Sequence, residues 1–148
     1  KHIWWHSRTS SDESMGKGER KMGHMKTNIE HGIYNVDHPI HYRQIVEVAT
    51  DWFLDKYHMQ DSDKTIKIDL TDYKMLGCWG ESYKQDENFY VISVATDQYL
   101  RDFVATLMHE LVHVWQWERG EWEDDGEREA DEKQYELTDE FWKEGLIR

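Results

Sequence analysis

Phe89-Tyr90-Val91-Ile92-Ser93-Val94-Ala95 is followed, after Thr96 and Asp97, by a run that contains Met108-His109-Glu110-Leu111-Val112-His113-Val114-Trp115 and stops at Arg119-Gly120. The first seven residues are mostly β-branched or aromatic, the composition of a strand packed in a sheet. Thr96 or Asp97 suits the cap of a helix, and Gly120 suits the left-handed residue that ends one. The stretch therefore predicts a strand over 89–95 and a helix over 96–119. Outward from this pair, Glu121 to Gly126 is an acidic turn, and a last helix is predicted from Glu127 to Lys143. Upstream, Leu76 to Tyr83 carries Gly77 and Gly80 and reads as a short or bulged strand with a turn. Thr65 to Leu70 alternates, with Ile66, Ile68 and Leu70 on one face of a half-buried strand. Pro39 opens a helix whose Ile45, Val46, Ala49, Trp52 and Phe53 form one apolar stripe ending near Tyr57. Strands grouped before helices predict an α+β fold: a small, mostly antiparallel sheet with helices on one face.

The chain has 148 residues, enough for one domain with a real core and too few for two. Asp and Glu total 31 against 18 Lys and Arg, a net charge of -13. Phosphate neutralisation needs clustered cations, so this balance excludes nucleic acid and anionic membrane surfaces as partners. No apolar run nears the ~18 residues of a membrane span. One cysteine, Cys78, permits no intramolecular disulfide and fits a reducing compartment better than a secreted one. With no signal peptide visible, a cytoplasmic or virion-associated protein is expected. Residues 1–38 differ from the rest. Lys1 to Thr27 is rich in Ser, Gly, Lys and His without a sustained period, and Ile3, Trp4 and Trp5 are its dense apolar cluster. We expect an N-terminal arm over 1–38, extended or anchored by its Trp pair on this domain or a protein partner, and a folded domain over 39–148. The early histidines (His2, His6, His24, His31, His38 and His41) fit no standard metal spacing.

The chemistry sits in His109-Glu110-Leu111-Val112-His113. Histidines four apart on a helix lie one turn above each other on one face, the spacing that puts two imidazoles on one zinc ion. Glu110 follows the first ligand and can reach water at the metal without binding the metal itself. Uncharged flanks (Thr106, Leu107, Met108, Leu111, Val112, Val114, Trp115) offer the dry, rigid seat that a catalytic metal requires. A third protein ligand is needed, and no histidine follows His113. The next helix offers Glu127-Arg128-Glu129-Ala130-Asp131. Glu127 and Asp131 share a face, and small Ala130 lets the two helices approach. We take Glu127 as third ligand, with Glu129 as its rival, and Asp131 as the acceptor that fixes the tautomer of a ligand histidine, His109 first.

His-Glu-Leu-Val-His followed by Glu-Arg-Glu-Ala-Asp resembles the gluzincin metallopeptidases, the thermolysin-like clan, and among them the small single-domain members. The resemblance covers about Leu76 to Trp142. It implies a minimal zincin fold with Zn2+ held by His109, His113 and Glu127, Glu110 as general base and Asp131 as the supporting aspartate. Gly77-Cys78-Trp79-Gly80 ahead of a strand and metal helix also resembles the SprT-like zinc peptidases. Those usually take a third, downstream histidine, which is missing here. By the same resemblance the strand before the metal helix is an edge that pairs with extended substrate, so Tyr90, Val91, Ile92, Ser93 and Val94 are expected to contact a peptide or protein substrate. A tyrosine that assists the oxyanion would come from Tyr83, Tyr90 or Tyr135.

The expected activity is peptide-bond hydrolysis by metal-activated water. Two other readings stand beside it. One is a catalytically silent zincin-fold component of a larger assembly, such as a virion. The other is a zinc amidase acting on a non-protein amide. Cys78 reads as a small buried residue, Trp115, Trp117 and Trp122 as core or cleft wall, and the acidic stretch Glu118 to Glu140 as solvated helix surface.

Overall fold

The strand and helix of residues 89–120 lie at the centre of the molecule. The computed structural model describes residues 25–31, 39–59 and 61–144, without the side chains of 26–31 and 39–41. Its elements are β1 (Lys26–His31), α1 (Pro39–Lys56), β2 (Thr65–Thr71), α2 (Tyr73–Leu76), β3 (Gly80–Asp86), β4 (Phe89–Ala95), α3 (Leu100–Arg119) and α4 (Glu127–Lys143). The strands form one sheet in the order β1-β2-β4-β3. The α+β class holds. The expected antiparallel character does not: β1 pairs with β2 and β2 with β4 in parallel, and β3 alone runs antiparallel, on β4. The cause is topological. The chain returns through α1 between β1 and β2, and through α2 and β3 between β2 and β4, and such crossovers bring strands back in parallel.

Lys26–His31, placed in the arm by composition, is an edge strand of this sheet. Residues 1–24 and 32–38, with Trp4, Trp5 and the early histidines up to His24, lie outside the described residues, as does His38.

The alternation read in 65–70 holds: Ile66, Ile68 and Leu70 are fully buried and the residues between them are not. They join Tyr90, Ile92 and Val94 of β4, Phe53 of α1, and Leu107, Met108 and Leu111 of α3 in the core. β4 is buried along nearly its whole length because strands flank it on both sides. α3 packs between the sheet and α4, so every residue from Phe103 to Val114 is buried. It starts later than its capping residues imply. Thr96 donates its hydroxyl to the Thr71 carbonyl at the end of β2, and Asp97 accepts from the Tyr73 amide at the start of α2, so the two tie the β4 end to both. Gly120 ends the helix with φ of 80°, as read. Residues 73–76 are a helical turn capped by Asp72, and the strand expected within 76–83 runs from Gly80 to Asp86, with a register shift between Lys84 and Asp86.

Candidate metal centre

α3 and α4 meet where Ala130, fully buried, lets them approach. Asp125 accepts the Glu127 amide at 3.0 Å and so anchors the first turn of α4. That turn aims the Glu127 carboxylate at both histidines. His109 Nε2 lies 3.2 Å from Glu127 Oε1, and His113 Nε2 lies 3.1 Å from Oε2. Tetrahedral zinc with ligands at ~2.0–2.1 Å spaces its donor atoms roughly 3.3 Å apart, so these separations match that geometry. Among the described residues, His109, His113 and Glu127 are the group of three whose donor atoms converge enough to hold a metal ion. The donor chemistry fits as well: two imidazoles and one carboxylate suit a borderline metal and leave a fourth position for water or substrate.

The electrostatics follow from this convergence. Burial opposes charge on Glu127, but the bonds from His109 and His113 outweigh it and hold the carboxyl at about 2. Burial likewise opposes charge on His109, yet Glu127, the Glu110 charge and Gln134 together raise its pKa above 6.5. Glu110 differs. Burial pushes its carboxyl up to about 7, restrained by the charges of His109 and His113 and by the Ser82 hydroxyl, which donates to Oε1 at 2.7 Å. Ser82 reaches it because Gly80 lets β3 lie against α3: a Cβ there would stand 2.5 Å from Thr106 Cγ2 and 3.1 Å from Glu110 Oε2.

The other expected residues divide. Asp131 comes to 3.4 Å from His109 Nδ1 but is 62% exposed, and Gln134 Oε1 is nearer at 2.7 Å. Gln134 is thus the main partner of that nitrogen. Glu129 does not join the ligands; it bonds to Gln116 and Arg119. The expectation that Tyr90, Val91, Ile92, Ser93 and Val94 meet substrate is corrected. β4 is interior, both its edges are paired, and these side chains are buried. Among the described residues, β3 is the outer strand beside α3. Tyr90 is no oxyanion donor, since its hydroxyl is spent on Glu118 at 2.6 Å. Tyr83 lies on β3. Tyr135, half-exposed, donates to Asp102 and lines a groove of about 710 Å³ that reaches Gln134 and Thr106. Cys78 is buried, its thiol 3.4 Å from the Gly80 carbonyl.

Ser82, Gln116 and Gln134 escaped the sequence reading. Gln116 had a signal: His109, His113 and Gln116 fall at successive turns on one face of α3. Gln134 lies three residues beyond Asp131 on the same face of α4. Ser82 had none, because its role depends on the strand order.

No protein-family model matches the chain, and no curated protein or solved structure matches it either. Among the described residues, no helix is long and apolar enough to cross a membrane.

Proposed function

We propose that this chain is a zinc-dependent peptide hydrolase of the gluzincin kind, with Zn2+ on His109, His113 and Glu127 and with Glu110 as general base. The observation that carries the reading is the contrast among the carboxylates beside the histidines. Glu127 is held ionised between them, as a ligand must be, while Glu110 is fully buried, next in sequence to His109, and poised near pH 7. A buried carboxyl whose pKa is raised in the metal-free protein, placed beside the ligands, is suited to proton transfer in hydrolysis. Zinc bound there supplies Lewis acidity, which acidifies water and polarises a carbonyl.

The chain's own groups do the rest. Glu110 accepts a proton from the attacking water as the water oxygen bonds to the carbonyl carbon. It delivers that proton to the amide nitrogen as the carbon–nitrogen bond breaks. Ser82 holds the carboxylate in place through Oε1. Among the described residues β3 is the outer strand of the sheet, and it lies beside Glu110.

The test is to load the full chain with zinc, incubate it with a defined peptide mixture, and identify products by mass spectrometry beside Glu110→Gln. New peptide ends from the wild type, and none from a Glu110→Gln protein that still carries one zinc, support the reading. Equal cleavage by both removes Glu110 as base. Bound zinc without cleavage of peptides turns the assignment to the silent assembly component, or to the amidase if a peptidoglycan amide is cut instead.

A further inference from the structure

We infer that Gln116 is the positioning residue of this metal centre: it turns His113 so that Nε2 faces the metal, and it holds Glu129 out of the ligand set. The inference rests on the zinc site proposed above.

Gln116 is 2% exposed, one turn beyond His113 on α3. Its Nε2 donates to the Gly126 carbonyl at 3.0 Å and to Glu129 Oε1 at 2.9 Å. Both partners are acceptors, so the amide has one orientation only, with Oε1 turned the other way. There it lies 2.9 Å from His113 Nδ1. Oε1 can only accept, so Nδ1 carries a proton, and Nε2, which faces Glu127 Oε2 at 3.1 Å, is the nitrogen left to ligate a metal.

The surroundings are shaped to this side chain. Gly126, at φ of 80°, passes so close that a Cβ would stand 2.2 Å from Gln116 Oε1. The same contact ties the loop before α4 to α3, directly ahead of the ligand Glu127. Glu129 is drawn to the Gln116 amide and to Arg119, 3.1 Å away. Two glutamates of one helical turn thus receive different tasks from one glutamine. The partner of the other histidine is independent: Gln134 holds His109 Nδ1 from α4.

The experiment measures zinc affinity of the full chain by chelator competition, with the histidine Nδ1–H signals of the zinc-loaded protein read by long-range 1H–15N NMR. Gln116→Met keeps the volume without the amide, and Gln116→Asn, a milder change, is one methylene too short to reach His113. Both should bind zinc about 10–100-fold more weakly. The His113 Nδ1–H signal should broaden or be lost while that of His109 persists. Gln134→Leu should do the reverse, disturbing His109 and sparing His113. Glu129→Ala should hold zinc within a few-fold of wild type. Zinc affinity of Gln116→Asn equal to wild type, with an unchanged His113 signal, overturns the inference and leaves the zinc site standing. Equal disturbance of both histidines by Gln116→Asn overturns it as well, since that is the mark of a merely structural residue. A wild-type chain that binds no zinc removes the site and this inference together. No turnover is measured, so a chain that binds zinc through this arrangement and cuts no peptide contradicts only the peptidase reading.

Discussion

Glu110 and Glu118 stand on the same helix, both face the sheet, and their carboxyls have moved in opposite directions. In the middle of α3, Glu110 is fully buried against β3, and burial lifts it to about 7. At the C-terminal end, burial also disfavours charge on Glu118. There Lys64 at 2.8 Å and the Tyr90 hydroxyl at 2.6 Å overcome it and hold the carboxyl below its ordinary range. Residue type and helix position are shared, so the difference lies in the partners. A half-buried carboxylate given a cation and a hydroxyl becomes a fixed anion that joins elements. One given a serine beside two histidines stays poised to take a proton.

The largest expected effect breaks this comparison at the level of chemistry. Glu110→Gln should lower peptide hydrolysis by about 10²–10⁴-fold with zinc content unchanged, and Glu118→Gln should leave it within a few-fold. Turnover and bound zinc measured on the same samples decide it. Equal losses in both variants would mean that the two glutamates act alike.

Stability should separate them with opposite signs. In the zinc-free protein Glu110 has its pKa raised from 4.5 to about 7. The native state then holds its proton more tightly than the unfolded chain, so Glu110 contributes nothing below about pH 4.5 and destabilises progressively up to about pH 7. Glu110→Gln should therefore stabilise the zinc-free chain at pH 7.5, by on the order of 2 kcal/mol, and the gain should vanish at pH 4. Glu118 has its pKa lowered, so its contribution is present above 4.5 and lost as pH falls through its folded value. Glu118→Gln should destabilise at pH 7.5. Urea denaturation at the two pH values measures both.

Lys64→Met leaves the half-buried Glu118 with the Tyr90 and Ser62 hydroxyls and without its Lys64 partner. It should cost about 1–3 kcal/mol at neutral pH, with a lower Tm and unchanged zinc binding. The smallest effect is Ser82→Ala. The hydroxyl lowers the Glu110 pKa, so its loss should move the acidic limb of the pH–rate profile upward, by about one unit or less. A downward move would mean that Ser82 bonds to the protonated acid instead.

The residues of the centre were legible to different depths. His109 and His113 are spaced by one helix turn with Glu110 next to the first, and the helix was evident from its own apolar run and Gly120. Glu127 followed because α4 begins at that residue and Ala130 opens the contact. The tautomer partner was half right: Asp131 is near His109, but Gln134 is closer and better shielded. Spacing cannot rank residues that share one face, since that ranking depends on the roll of α4 against α3. Lys26–His31 gave little warning of a strand, as Thr27 and Ile29 are its only β-formers.

What the residues alone determine here is local: periodicity marks Thr65–Thr71 and the first long helix, composition marks Phe89–Ala95, capping residues bound the helix after it, and the helix pitch places the two histidines on one face. Only the tertiary structure decides the rest. Parallel crossovers put β4 inside the sheet and leave β3 at the edge, so Ser82, not Tyr90 to Val94, lies beside Glu110. The packing of α4 on α3 turns Glu127 to His109 and His113, and Glu129 to Gln116 and Arg119. A side chain's direction along its own element follows from backbone geometry, but its partner belongs to another element, and only the assembled fold brings the two within reach.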